Sequence, residues 1–394
     1  MLAKKSANTK SSPVRELLKF SKMPEFISLA GGIPATDMID MDGIDGIVSE
    51  LLQSDHRQMF QYSVTEGELE FREEIAKLNA LFHLKTPADQ ILITNGSQQA
   101  IDLLNRVFLE KDDIVLVERP TYLAALQLFS YTEAIVEEVA YNEQSIDLEV
   151  LESVFAQGKV KMFYVIPNFA NPTGHTLDYS TRSAIVNLAH KYDVVIVEDD
   201  PYGHLRFEGE AVPSLFSIAQ SLYGETHNVC YMSSFSKIFA PGLRLGWLAA
   251  PLKYLSAIIV AKQALDLHTS TFNQHIAASY LASGKLVERL KVLQTTYRQR
   301  RDLLIAALEK HLGGMITFNK PTGGMFLWCR LNVEVKASEL LKACIDEKVI
   351  FVPGEVFFSK NPDHYTLRLS YSMLSENSAD EGVSRIAKAL NKLL

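Results

Sequence analysis

The chain carries a series of short, nearly continuous apolar runs, among them Gln90–Thr94, Asp113–Val117, Lys161–Ile166, Val194–Val197 and Asn228–Met232. Each is too short for a helix and is bounded by turn residues or charges, so each reads as a strand buried on both faces. Stretches with helical periodicity stand between them, including Leu69–Phe82, Asn95–Leu109 and Ser180–Tyr192. Strand and helix alternating from about residue 46 to residue 290 predict a mainly parallel sheet with helices on both faces. In such a sheet, ligands bind at the carboxyl ends of the strands.

The flanks read differently. Residues 1–12 are polar and basic and read as a disordered tail, and Pro13–Phe20 reads as a short amphipathic helix with proline in its first turn. A helical stretch is predicted from about Tyr254 to Ala282 and a long one from Leu286 to His311, followed by strands at Gly323–Trp328 and Tyr365–Ser370. These give a second, smaller α/β domain over 291–394, with residues 13–45 packing against it and residues 46–290 forming the large domain.

Composition narrows the function. A net charge of -8 argues against a nucleic-acid partner. The three cysteines, Cys230, Cys329 and Cys344, lack paired spacing, which points to a reducing, cytoplasmic setting and no disulfide framework. No apolar run approaches the ~20 residues of a membrane span. No metal-ligand spacing is present.

Chemistry-bearing residues fall where those strands end. Ser233–Gly246 places Lys237 on a turn between two apolar runs, with Ser234, Ser236 and Arg244 beside it. A desolvated lysine with a cationic neighbour has a lowered pKa and a nucleophilic amine, able to form a Schiff base, while the hydroxyls and the guanidinium suit a phosphate. Asn95-Gly96-Ser97-Gln98 opens a helix after a strand, a ready anion site that is neither a P-loop nor a dinucleotide fingerprint. Pro120-Thr-Tyr122 follows one strand, and Pro167–Gly174, with Asn171, follows another. Glu198-Asp199-Asp200-Pro-Tyr202 ends a third, where ligands of such sheets bind; for Glu198 and Asp200 a solvated strand end is the alternative. Arg368 sits inside an apolar run and needs a partner, either an internal carboxylate or a substrate carboxylate. Gly31-Gly32 lets the backbone approach a ligand closely.

Taken in this order, the motifs resemble those of the fold-type I, class I/II pyridoxal-phosphate aminotransferases, most closely the branch containing 2-aminoadipate and kynurenine aminotransferases. The resemblance runs from about Pro13 onward. It implies a large domain with a mainly parallel seven-stranded sheet between helices, and a small α/β domain built from both chain ends. It also implies pyridoxal 5'-phosphate as cofactor, held covalently by Lys237, with its ring nitrogen on Asp199, Tyr122 stacked on the ring, and Asn171 and Tyr202 at O3′. Ser97, Gln98, Ser234, Ser236 and Arg244 would hold the phosphate, with Tyr62 reaching it from the other subunit of a homodimer. Arg368 would bind the substrate α-carboxylate, with Asn171 and Gly32 bordering the substrate, in a transfer of an amino group from an L-amino acid to a 2-oxo acid. Two alternatives stay open: a β-lyase on the same scaffold, and a ligand-sensing domain of the kind fused to a helix-turn-helix. The latter would need a whole domain ahead of residue 13, where twelve residues stand.

Overall fold

The computed structural model of the protein describes residues 13–53, 57–141 and 145–394; the tail expected for residues 1–12 lies outside them. A helix at Pro13–Phe20 and a two-residue strand, β1 (Ile27–Ser28), lead into helices Met41–Gln53 and Leu69–Leu81. Then come β2 (Ile91–Thr94), β3 (Ile114–Arg119), β4 (Ile135–Ala140), β5 (Val160–Val165), β6 (Val195–Asp199), β7 (Val229–Ser234) and β8 (Gly246–Ala249), with helices between most of them. They form one seven-stranded sheet in the order β2-β8-β7-β6-β5-β3-β4. β4, β3, β5, β6 and β7 pair in parallel, and β8 runs antiparallel to both β7 and β2. Every residue of β2, β6, β7 and β8 is buried. That double-sided burial is why these strands read as continuous apolar runs.

The remaining strands are β9 (Ile316–Phe318), β10 (Phe326–Leu331), β11 (Val349–Ile350), β12 (Val352–Pro353) and β13 (Thr366–Ser370). β12, β13, β10 and β9 make a second, antiparallel sheet, in that order. β1 pairs in parallel with β11, and Leu17, Ala30, Ile350, Val352 and Phe357 form a separate small apolar cluster. The amino-terminal segment is thus fastened to the carboxyl-terminal part of the chain, by backbone pairing with β11 and by burial against Ile350, Val352 and Phe357. Helix Lys285–Leu312 runs without a break across the division drawn at residues 290 and 291.

Two expectations are corrected. The single helical stretch from Tyr254 to Ala282 is two helices, Leu252–Asp266 and Thr271–Ala282. Leu267 leaves the helix with φ of +65°, and the Ser270 side chain caps the second helix by accepting the Asn273 N–H. Apolar periodicity continues through the break and hides it. The strand read at Gly323–Trp328 begins instead at Phe326, because Gly324 has φ of +75° and the Phe169 ring occupies the space where a Cβ of Gly323 would stand.

Candidate active site

Between the carboxyl ends of the large sheet's strands and the smaller sheet lies a cavity of about 590 Å³. β6 delivers Asp199, and Tyr202 follows it; β7 and the turn after it deliver Ser234, Ser236 and Lys237. The loop after β5 carries Asn171, the residue before helix Leu123–Tyr131 is Tyr122, and Arg368 reaches in from β13. Gly32, Ser97, Gln98 and Arg244 complete the lining among residues singled out from the sequence. Tyr62 alone of that set does not line it. It is 79% exposed, its ring edge-on to His268 at 5.9 Å.

One end of the cavity is a nest of donors. Helix Ser97–Phe108 begins at Gly96, and no side chain caps it. Its free N–H groups and positive dipole end face an incoming anion. Gly96 has φ of +80°, a conformation that favours glycine, and the space where a Cβ would stand holds Arg244 Nη2 at 2.8 Å. Arg244 donates to the Ser236 hydroxyl at 3.3 Å and to the carbonyls of Pro241 and Asn95, each at 3.4 Å. It has no carboxylate partner among the described residues, which leaves its charge available to a bound anion. The Ser234 hydroxyl donates to Ser236 Oγ at 2.9 Å and joins the two serines.

At the other end stands Asp199, 2% exposed. Its Oδ2 accepts from the Tyr164 hydroxyl at 2.6 Å, while Oδ1, equally buried, has no partner. Burial pushes this carboxyl up to about 7, against the hydrogen bond from Tyr164. Raised above its unfolded value, the group costs nothing at low pH. The cost of burying its charge grows as pH rises from about 4 to about 7. Cofactor-free Asp199→Asn protein should therefore lose less melting temperature than the wild type between about pH 5 and about pH 8. Scanning calorimetry at both values checks this, and equal losses would show that Asp199 does not titrate in that window.

Lys237 lies between the two ends. Its ammonium donates to the Gly32 carbonyl at 2.8 Å. Burial, then the charges of Arg368 and Arg244, lower its pKa to about 8, with Asp199 opposing. Arg368 is 4% exposed. It donates to Asn171 Oδ1 and to the Ala30 carbonyl, each at 2.7 Å, and its guanidinium lies 4.2 Å from the Phe326 ring centre. Its Nε is buried without a partner, and burial lowers its pKa to about 10. The internal carboxylate weighed as its partner is not there among the described residues.

The acids beside Asp199 are not at a solvated strand end. Glu198 is fully buried and accepts the N–H groups of Leu215 and Phe216 at 2.9 and 2.8 Å, which fixes the start of helix Leu215–Tyr223. Asp200 accepts from Asn168 Nδ2 at 3.0 Å and from the Gly203 N–H at 2.9 Å. Both serve the frame. Two residues that sequence reasoning passed over lie under the cavity floor. Tyr164 orients Asp199, and buried Glu118 accepts the Ile166 N–H at 2.7 Å together with the Tyr141 hydroxyl. A tyrosine and a glutamate within otherwise apolar strands were the available signals.

The donor set fits pyridoxal phosphate. Hydroxyls, amides and a guanidinium at one end suit a phosphate, a lone buried carboxylate oxygen at the other suits a protonated ring nitrogen, and a primary amine lies between them. Known proteins agree. The family model described as aminotransferase class I and II matches residues 25–386. The chain is 36% identical over 396 residues to an aromatic-amino-acid aminotransferase of Thermococcus litoralis, covering 99% of this chain and 94% of that one. It is 34% identical over 391 residues to a 2-aminoadipate transaminase of Thermus thermophilus, covering 99% and 96%. A crystal structure of Pyrococcus horikoshii kynurenine aminotransferase in complex with PMP superposes with a TM-score of 0.93 at 36% identity, covering 100% of this chain and 98% of that one.

Proposed function

This chain belongs to the class I and II aminotransferases, and on that footing we propose how its own residues divide the work. The enzyme is a fold-type I, pyridoxal-phosphate-dependent transaminase that moves an amino group from an amino acid to a 2-oxo acid. The observation that carries the residue assignment is the lining of one cavity by Lys237, the lone Oδ1 of Asp199 and the unpartnered Nε of Arg368. The cofactor, when bound, supplies an electron-withdrawing ring that takes up the electron pair released at the substrate Cα.

The protein supplies position and proton control. Ser97, Gln98, Ser234, Ser236 and Arg244 would hold the phosphate, and Tyr122 would pack on the ring. Asp199 Oδ1 would accept from the ring N–H and keep that proton in place, while Asn171 and Tyr202 would serve O3′. Arg368, held flat by Asn171, Ala30 and the Phe326 ring, offers Nε to the substrate α-carboxylate. Gly32 borders the substrate. The Lys237 amine, with its pKa near 8, has a useful neutral fraction at neutral pH; it takes the Cα proton as base and returns it as acid. Alternate binding of amino acid and oxo acid at this one site gives ping-pong kinetics. The test is a half-reaction screen, in which the loaded enzyme is mixed with single amino acids and the cofactor's absorbance is followed. Release of ammonia and an oxo acid with the cofactor left unaminated would favour the lyase alternative, which no comparison supports better.

The finer organisation follows the same reading. Residues 13–45 and 291–394 form a small domain against a large domain of 46–290. Cytoplasmic residence suits three buried, unpaired cysteines. The protein is a homodimer with shared sites: Phe60, Tyr62, Val64 and Leu69 are exposed apolar neighbours suited to a partner copy, from which Tyr62 would reach the other subunit's phosphate. Mixing and refolding Tyr62→Phe with Lys237→Ala subunits tests this. In a mixed dimer with shared sites, one site bears both lesions and the other none, so activity is expected to return. No recovery, once Tyr62→Phe alone is shown to lower activity or cofactor affinity, would place Tyr62 in its own chain's site.

A further inference from the structure

Behind the Gly96 turn lies a buried ionic cluster that amino-group transfer does not use. Lys262 stands inside helix Leu252–Asp266 with its side chain 0% exposed. Its ammonium donates to both carboxylate oxygens of Asp266 at 2.9 and 3.0 Å, and to Gln99 Oε1 and the Thr269 hydroxyl, each at 3.1 Å. Asp266 Oδ2 also accepts from Asn95 Nδ2 and Gln99 Nε2, each at 2.6 Å. Gln99 Oε1 accepts the Asn95 N–H at 2.8 Å and closes the ring of contacts. The Asn95 carbonyl accepts from Arg244 Nη2. The cluster therefore grips the chain on both sides of Gly96, at Asn95 and at Gln99, and touches the arginine that faces the cavity.

An ion pair whose ammonium is fully buried contributes little net stability for its desolvation cost, which directs attention to what its partners hold. Asp266 holds two amides and an ammonium at once through one carboxylate. Its charge, however, then stands behind a turn that receives an anion. Lys262 cancels that charge at 2.9 Å. We propose that Lys262 and Asp266 are positioning residues for phosphate binding: Asp266 fixes Asn95 and Gln99, and Lys262 removes the repulsion this carboxylate would exert on the bound phosphate. The inference rests on the phosphate reading of Ser97, Gln98 and Arg244.

Electrostatics sets the signs. Lys262→Met leaves a net negative charge behind the turn, Asp266→Asn leaves a positive one with an acceptor oxygen retained, and the double variant is neutral. A purely structural pair would not separate these three. The readout is the affinity of the cofactor-free enzyme for pyridoxal 5'-phosphate and for pyridoxal, titrated by fluorescence. The ratio of the two dissociation constants isolates the phosphate, because ring and lysine contacts are common to both. Lys262→Met is expected to lower the phosphate preference by about tenfold. Asp266→Asn should keep it at or above the wild-type value, and the double variant should recover it to within about threefold. An unchanged preference in Lys262→Met, or an equal fall in the single and double variants, overturns the inference. If Lys262→Met does not fold, Asp266→Asn decides, and a preference below wild type overturns it. Arg244→Ala separates the levels. A wild-type preference there overturns the phosphate reading and this inference with it, whereas a fall there with none in Lys262→Met overturns the inference alone.

Discussion

Lys237→Ala is expected to abolish turnover, by roughly a thousandfold or more, and to remove the visible absorbance band of the lysine-bound cofactor. The size follows from two roles lost together. The side chain that attaches the cofactor goes, and so does the base that moves the Cα proton. No neighbour can replace it: Arg368 and Arg244 also face the cavity, but guanidinium groups hold their protons at neutral pH. Exogenous small amines are expected to restore part of the proton transfer and none of the covalent attachment. Phosphate contacts do not involve Lys237, so noncovalent cofactor binding should persist. A variant that transaminates at the wild-type rate would end the assignment.

Arg368→Ala is the second large effect. Removing one partner of a desolvated, hydrogen-bonded charge pair costs roughly 2–5 kcal/mol. Amino-acid affinity should therefore fall by about thirtyfold or more, with the cofactor still bound and its band intact. The geometry argues for a binding role over a structural one. Arg368 is fastened by Asn171 Oδ1 and the Ala30 carbonyl, neither of them a counter-charge, and its Nε is left without a partner. The fully buried Arg182 and Arg301 have each guanidinium nitrogen hydrogen-bonded within the protein, Arg182 to carbonyls and Asn168 and Arg301 to Glu208, Asp302 and the Pro321 carbonyl, whereas Arg368 keeps one nitrogen for a ligand. Loss of folding or of cofactor with amino-acid affinity intact would make Arg368 structural.

Burial decided what could be read from the sequence. β6 and β7 were plain because both faces are covered, so Val195–Val197 and Val229–Met232 show no polar interruption. β4 is an edge strand, half exposed, with Glu137 bonded to Lys360 and Glu138 paired with Arg119, and it did not stand out. β1, β11 and β12 are two residues long; β1 and β11 exist only through each other, with Ile27 opposite Val349, and β12 only through its pairing with β13, which no local pattern encodes. The site was more legible than the frame. Serine, lysine, aspartate and arginine at strand ends are conspicuous because apolar segments surround them. The silent participants were those whose chemistry is spent on other protein groups. Tyr164 reads as one more strand aromatic until its hydroxyl is seen on Asp199, and Lys262 reads as a break in an apolar helix until its four bonds are traced. Glu198 and Asp200 show the converse: acids next to a functional residue that serve only to cap a helix and to tie a loop.

Borohydride reduction of the purified, cofactor-loaded enzyme, followed by peptide mass analysis, reads the position of the cofactor directly. Reduction fixes the cofactor to whichever lysine carries it. A single pyridoxyl-modified peptide is expected, with the modification on Lys237 within Ser233–Gly246. A pyridoxyl group on any other lysine, Lys262 included, or a loaded enzyme that yields no modified peptide, would contradict the site described for this chain.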